Sequence, residues 1–117
     1  MVAEVILTLT DGSEKRVEVQ GASSGTFAHL EEFQRIVSAV IPEGVTTIEE
    51  GAFFRCYSLI SVTMPSTVTT IEPDAFGHCR SLTSADVPKG VTTIGESAFY
   101  FCRSLTSAII PEGVTTI

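Results

Sequence analysis

Basic residues are scarce in this chain. Its 117 residues include 7 Lys and Arg against 14 Asp and Glu, for a net charge of −7. No segment clusters its bases, so the usual means of holding nucleic acid or an anionic membrane is missing. Residues 1–41 carry six acids and three bases, and residues 42–117 carry eight and four. The acidity is therefore spread along the chain, and its plain meaning is solubility. No apolar run approaches the roughly 20 residues that cross a bilayer, so membrane insertion is not expected. Residues 1–7 lack a basic start, and Glu4 interrupts their apolar stretch. That is a poor secretion signal, and the chain as written is expected in the cytosol unless a longer precursor supplies a targeting segment. No glycine-rich phosphate loop, metal-ligand cluster or basic aromatic patch is visible, so neither a cofactor nor a metal is expected.

What the chain does have is a repeat. Pro42, Pro65, Pro88 and Pro111 are 23 residues apart, and each opens a Pro-x-x-Val-Thr-Thr-Ile string. Ala52-Phe53, Ala75-Phe76 and Ala98-Phe99 keep the same step, as do Cys56, Cys79 and Cys102, and then Leu59, Leu82 and Leu105. A fixed period of this size predicts a solenoid whose units stack on their neighbours. The expected fold is a short α/β repeat. Parallel strands lie on the concave side, short helical turns on the return side, and an N-terminal β-hairpin and helix form a cap. Two regions follow: residues 1–41 as cap and degenerate first unit, and residues 42–117 as 23-residue units, the last truncated.

The hairpin reading rests on alternation over residues 4–20 around Asp11-Gly12. A three-residue loop, Thr10 to Gly12 with Gly12 left-handed, pairs Val5 with Val17 and gathers an apolar face. A helix is expected from about Thr26, with Phe27, Leu30, Phe33 and Val37 on one side. A step back of 23 from Phe53 places Leu30 beneath it. The strand-strand-helix order of residues 4–38 also resembles the start of a ubiquitin-like fold, but the later strands of that fold are missing.

Leu59-x-x-Val62-x-Met64-x-x-Thr67-Val68-x-x-Ile71 matches the leucine-rich pattern, with Thr67 where Asn is usual. Together with the string Ile-Pro-x-x-Val-x-x-Ile-x-x-x-Ala-Phe-x-x-Cys-x-x-Leu, it makes residues 42–117 resemble the BspA-type leucine-rich repeat family. The resemblance implies a right-handed solenoid, and members that are often surface proteins binding other proteins. On that basis a cell-surface location is an alternative to the cytosol.

Candidate sites follow from the strand period. Ser38, Ser61, Ser84 and Ser107 form one outward column, and Val40, Thr63, Asp86 and Ile109 the next. Partner-binding residues are therefore expected at Ser61, Thr63, Ser84, Asp86, Ser107 and Ile109. Four short strands give a face of only about 200–300 Å², against ~800 Å² for a standard footprint. That suits weak binding or a short peptide. The cysteines, three residues from a core Phe and from a core Leu, read as an inward stack and not as ligands or disulfides. Asp74, His78 and Cys79 suggest a nucleophile, but Cys79 points inward and His78 outward, so the base does not reach the thiol. Phe54, Tyr57, Tyr100 and Phe101 fall in variable return columns, where Tyr100-Phe101 suggests a contact patch.

No enzyme is expected. The leading reading is a non-catalytic module that binds a protein or peptide on the concave face. The second is a structural or self-assembling repeat unit, either a fragment of a longer array or a dimer through an open C-terminal edge near Ile117.

Overall fold

The computed structural model describes residues 3–105 and 107–108, with only the backbone of the last two. The chain winds into a flat stack of about 37 × 36 × 19 Å. It opens with the antiparallel hairpin β1 (Glu4–Leu9) and β2 (Glu14–Glu18). Val5 faces Val17, the register that gathers the apolar face. Gly12 is left-handed at φ 86°, and the Leu9 amide donates to the Ser13 carbonyl at 2.9 Å. Asp11 Oδ1 steadies the loop by accepting from the Ser13 amide and hydroxyl.

The stack has two parallel ladders. On one side run β3 (Ile36–Val40), β5 (Ser61–Thr63), β7 (Ser84–Ala85) and β9 (Ser107–Ala108). Ser38 pairs with Ser61, and Ser84 with Ser107, so the 23-residue step is the register itself. Between β5 and β7 the Thr83 amide donates to the Ile60 carbonyl at 3.1 Å. The second ladder is one that the repeat pattern does not announce. It consists of β4 (Thr47–Ile48), β6 (Thr70–Ile71) and β8 (Thr93–Ile94), and Ser23 joins it by a parallel bridge to Thr47. Thr67, in the usual Asn position, accepts from the Gly44 amide and donates to the Val45 carbonyl at 2.7 Å, which ties two layers together.

The return side is not helical, which corrects the expectation of short helical turns. Its amides alternate between two kinds of partner. Those of Ala52, Phe54 and Cys56 donate three residues back along the chain, to Glu49, Gly51 and Phe53. Those of Gly51, Phe53 and Arg55 donate to the next layer, to Pro73, Ala75 and Gly77. The same alternation recurs from Asp74 to Cys79. An α-helix needs every amide for its own chain, so bonding between layers excludes it. The geometry places one residue at each end of the turn in the left-handed region: Gly51, Asp74 and Ser97 in one column, Arg55, His78 and Phe101 in the other.

The helix expected from Thr26 is also absent. Residues 26–32 are loop and turn, followed by one 3-10 turn at Phe33–Arg35. Phe27, not Leu30, stacks on Phe53, with ring centroids 4.8 Å apart. Ser38 still pairs with Ser61, so the first unit uses three more residues than its neighbours between its Phe and its strand. Beneath the first unit the hairpin continues the strand sheet, with β1 antiparallel to β3. That pairing covers the outer edge of β3, which would otherwise present unpaired backbone groups.

The core is a set of one-residue columns. Phe27, Phe53 and Phe76 are fully buried. Phe53–Phe76 and Phe76–Phe99 are near-parallel stacks at 5.4 and 5.3 Å. Beside them lie Ala52, Ala75 and Ala98, and Leu59 and Leu82.

Candidate functional site

The strand face is wider than four strands. Val5, Leu7 and Leu9 of β1 point into the core, so Ile6 and Thr8 point outward with the neighbouring strands. Ile6 lies opposite Val40, and Thr8 opposite Ser38. One outward row therefore runs Ile6, Val40, Thr63, with Asp86 one step further. The other runs Thr8, Ser38, Ser61, Ser84. Ser61, Thr63 and Asp86 are exposed and Ser84 is half-buried, while Val62 and Ala85 between them are buried. Val40 stands 45% exposed in the middle of the face. On β2, Arg16 faces Ile6 and lies 3.8 Å from both Glu4 and Glu14. Ser107 pairs with Ser84 through its backbone. Ile109 and the C-terminal edge near Ile117 lie outside the described residues.

Sequence reasoning missed Ile6 and Thr8. The alternation in β1 already set them outward, but nothing in the sequence says which strand takes the free edge of the hairpin. β1 and β2, with 6 and 5 residues, add about 170 Å² to the face at ~3.3 Å per residue and ~4.8 Å per strand.

The cysteines are a buried column. Cys56 and Cys79 are fully buried and free, and Cys102 is half-buried. The Cys79 and Cys102 thiols donate to the Phe53 and Phe76 carbonyls, each at 3.1 Å. Burial pushes the Cys56 thiol up to about 12 and raises Cys79 and Cys102 as well. Such thiols are protonated at neutral pH and are not nucleophiles. No group of three metal-ligating side chains converges among the described residues. None of their helices is long and apolar enough to cross a membrane.

The return side gathers side chains that are scattered in the sequence. Gly77 leaves room for the Phe54 ring, since a Cβ there would lie 3.0 Å from Phe54 Cδ1. His78 meets Phe54 and Tyr100 edge-on at 5.5 and 5.6 Å, and Phe101 at 5.3 Å. Cys79 is turned away from this imidazole into the core, so no nucleophile is assembled. Tyr57, His78, Arg80, Phe101 and Arg103 line an open cleft of about 230 Å³. A basic aromatic patch therefore exists where none was visible in the sequence. It arises because adjacent columns place one Arg or one ring per layer side by side.

Two parallel ladders, an inward Phe column and a hydrogen-bonded corner define a leucine-rich-repeat solenoid. The model of the BspA-type leucine-rich repeat region, in six copies, matches residues 23–117, and the chain belongs to that family. Its start agrees with the Ser23 bridge, where the second ladder begins.

Three crystal structures are similar. A leucine-rich cell surface protein of Faecalibacterium prausnitzii is 43% identical over 64% of this chain, with a TM-score of 0.62. A leucine-rich repeat protein of Bacteroides ovatus is 28% identical over 95% of the chain, with a TM-score of 0.69. The T. pallidum leucine-rich repeat protein shares the fold at 23% identity over 83% of the chain, with a TM-score of 0.64. The chain spans 20%, 27% and 51% of the lengths of those proteins. Among curated proteins none matches.

Proposed function

We propose that the protein is a non-catalytic binding module that receives a protein or peptide partner on its strand face. The residues assigned to contact are Ser61, Thr63, Ser84 and Asp86, joined by Ile6 and Val40. Ser107 and Ile109 continue the two columns by the 23-residue step. The observation that carries this reading is the outward row Ile6, Val40, Thr63, Asp86. Ile6, Val40 and Thr63 are in register across the sheet and Asp86 follows by the 23-residue step, while the chemistry changes from layer to layer. A row that served only packing or solubility has no need of an exposed Val40 set between Ile6 and Thr63. With the hairpin strands added, the face remains below a standard footprint. It suits an extended peptide or a partner that also touches the rim. The similarity to a cell surface protein of F. prausnitzii supports a surface role.

The test is site-specific photocrosslinking. A photoreactive residue at Thr63 should capture one partner, and Val40→Glu should abolish that capture without lowering the melting temperature. The same probe at Ser97, on the return side, should not capture it. Equal capture from both positions would exclude the strand face as the specific binding surface.

A further inference from the structure

The cleft on the return side is independent of the strand face and has a different chemistry. Tyr57, Arg80 and Arg103 occupy one column, and Arg55, His78 and Phe101 another, each at the 23-residue step. Arg80 Cζ lies 4.2 Å from the centroid of the Tyr57 ring, a cation–π contact that holds the guanidinium at the cleft wall. The Ser104 hydroxyl donates to the Arg80 carbonyl at 2.7 Å and fixes the backbone beneath it. The His78 amide donates to the Tyr100 carbonyl at 2.7 Å, which locks the aromatic layers together. Tyr100 and Phe101 are each 53% exposed, although their rings pack on each other at 4.4 Å.

The charge arrangement points to a ligand. Neither Arg80 nor Arg103 has a carboxylate partner among the described residues, whose ion pairs are Lys15–Glu32, Arg16–Glu4 and Arg16–Glu14. Arg80 and Arg103 both line this cleft, one 23-residue step apart, so two like charges share one column. Three of the seven bases, Arg55, Arg80 and Arg103, lie on this side of a chain with net charge −7. A planar carboxylate fits paired guanidinium forks. A polyanion such as nucleic acid is repelled by the rest of the surface. The cleft is open and smaller than the ~300–1,000 Å³ of ordinary small-molecule pockets. A small free acid would be poorly enclosed, whereas a peptide could extend from the cleft onto the Tyr100 and Phe101 rings.

We propose that this cleft is a second binding site, which takes a segment of a partner polypeptide carrying an Asp or Glu carboxylate beside an aromatic side chain. The carboxylate lies between Arg80 and Arg103, and the aromatic side chain rests on Phe101 and Tyr100.

The experiment is NMR titration of the ¹⁵N-labelled chain with acetyl-Gly-Glu-Phe-Gly-amide, its Glu→Gln counterpart, and 3-phenylpropionate. The Glu peptide should shift the amides of residues 78–80 and 101–103. It should bind at least about fivefold more tightly than the Gln peptide, weaken in 0.5 M NaCl, and bind more tightly than the free acid. Arg80→Gln/Arg103→Gln should cut its affinity about tenfold or more and leave the melting temperature and the Val40 and Thr63 amides unchanged. Equal binding of the Glu and Gln peptides, or unchanged binding by the double variant, would overturn the proposal. So would binding of the free acid as tight as the peptide, which would make the site one for small acids. Concentration-dependent shifts of the same amides without peptide, lost in the double variant, would give the site to a second copy of the chain and also overturn it.

Discussion

Truncating Phe76 tests the stacked core most directly. Its ring is 1% exposed and lies between Phe53 and Phe99, at 5.4 Å and 3° on one side and 5.3 Å and 7° on the other. Phe76→Ala loses the transfer free energy of the ring, about 2 kcal/mol. It also opens a void of roughly 100 Å³, worth about 2 kcal/mol more at ~24 cal/mol per Å³ if the walls stay in place. The walls should stay in place. The Phe53 amide is tied to the Ala75 carbonyl at 2.7 Å and the Phe76 amide to Ala98 at 2.8 Å, so the layers cannot close without breaking backbone bonds. The expected loss is therefore about 4–5 kcal/mol, the upper part of the range for aromatic truncation. Phe99 is half-buried and has one described stacking neighbour, so Phe99→Ala should cost about 1–3 kcal/mol. Urea melts of both variants, compared at unchanged m-value, supply the numbers. A loss below 1 kcal/mol for Phe76→Ala, or equal losses for the two, would refute the column as the main source of stability.

Three further perturbations test the corners and the buried thiols. The unfolded thiols titrate near 9.0 while burial holds Cys56 at about 12 and raises Cys79 too, so above pH 9 the unfolded chain loses protons first. Stability should be unaffected below that and fall as pH rises toward 12; between pH 8 and 10 the loss is about 1.4 kcal/mol per thiol, and Cys56→Ala/Cys79→Ala should show a correspondingly smaller drop in denaturant melts. Ser97 holds φ 59° in the column where Gly51 sits, so Ser97→Gly should stabilise by about 0.5–1 kcal/mol, the relief of left-handed strain less the entropy of glycine; a lower melting temperature would contradict that balance. At Gly95 a Cβ would lie 2.3 Å from Pro73 N in the layer below, so Gly95→Ala should lower the thermal midpoint sharply, and an unchanged midpoint would show that the layers part easily.

Most of what the repeat encodes was legible because the solenoid gives each sequence column one physical environment. The Phe stack, the buried cysteines and the Ser38–Ser61 register all follow from the 23-residue step. The return side is misread from sequence for a physical reason. Ala-Phe-x-x-Cys-x-x-Leu places apolar residues three apart, which suits a helix and equally suits a chain of turns bonding three residues back. Side-chain pattern does not reveal where the other amides go, and here they go to the next layer. The first unit is misread through the same trust in the period. Its Phe sits at residue 27 because extra residues between Phe27 and β3 shift the corner but not the strand.

The candidate surfaces follow the same logic. A solenoid makes inward columns uniform, because each must fill the same space, and leaves outward columns free to differ. On the strand side that freedom yields Ile6, Val40, Thr63 and Asp86 in one row, and on the return side Tyr57, Arg80 and Arg103 in one column. The two differ in what the fold imposes on them. The strand row is set by sheet register and tolerates any residue that suits an exposed strand. His78 and Phe101, by contrast, occupy a left-handed position at φ 60° and 56° where glycine is the unstrained choice. Retaining bulky rings there costs stability that glycine would recover. His78→Gly and Phe101→Gly should therefore stabilise the fold by up to about 1 kcal/mol each from the backbone, less the packing energy of each ring, while weakening binding of the acidic peptide. If both variants lose stability and bind the peptide unchanged, the rings are there to cover the corner and not to meet a ligand.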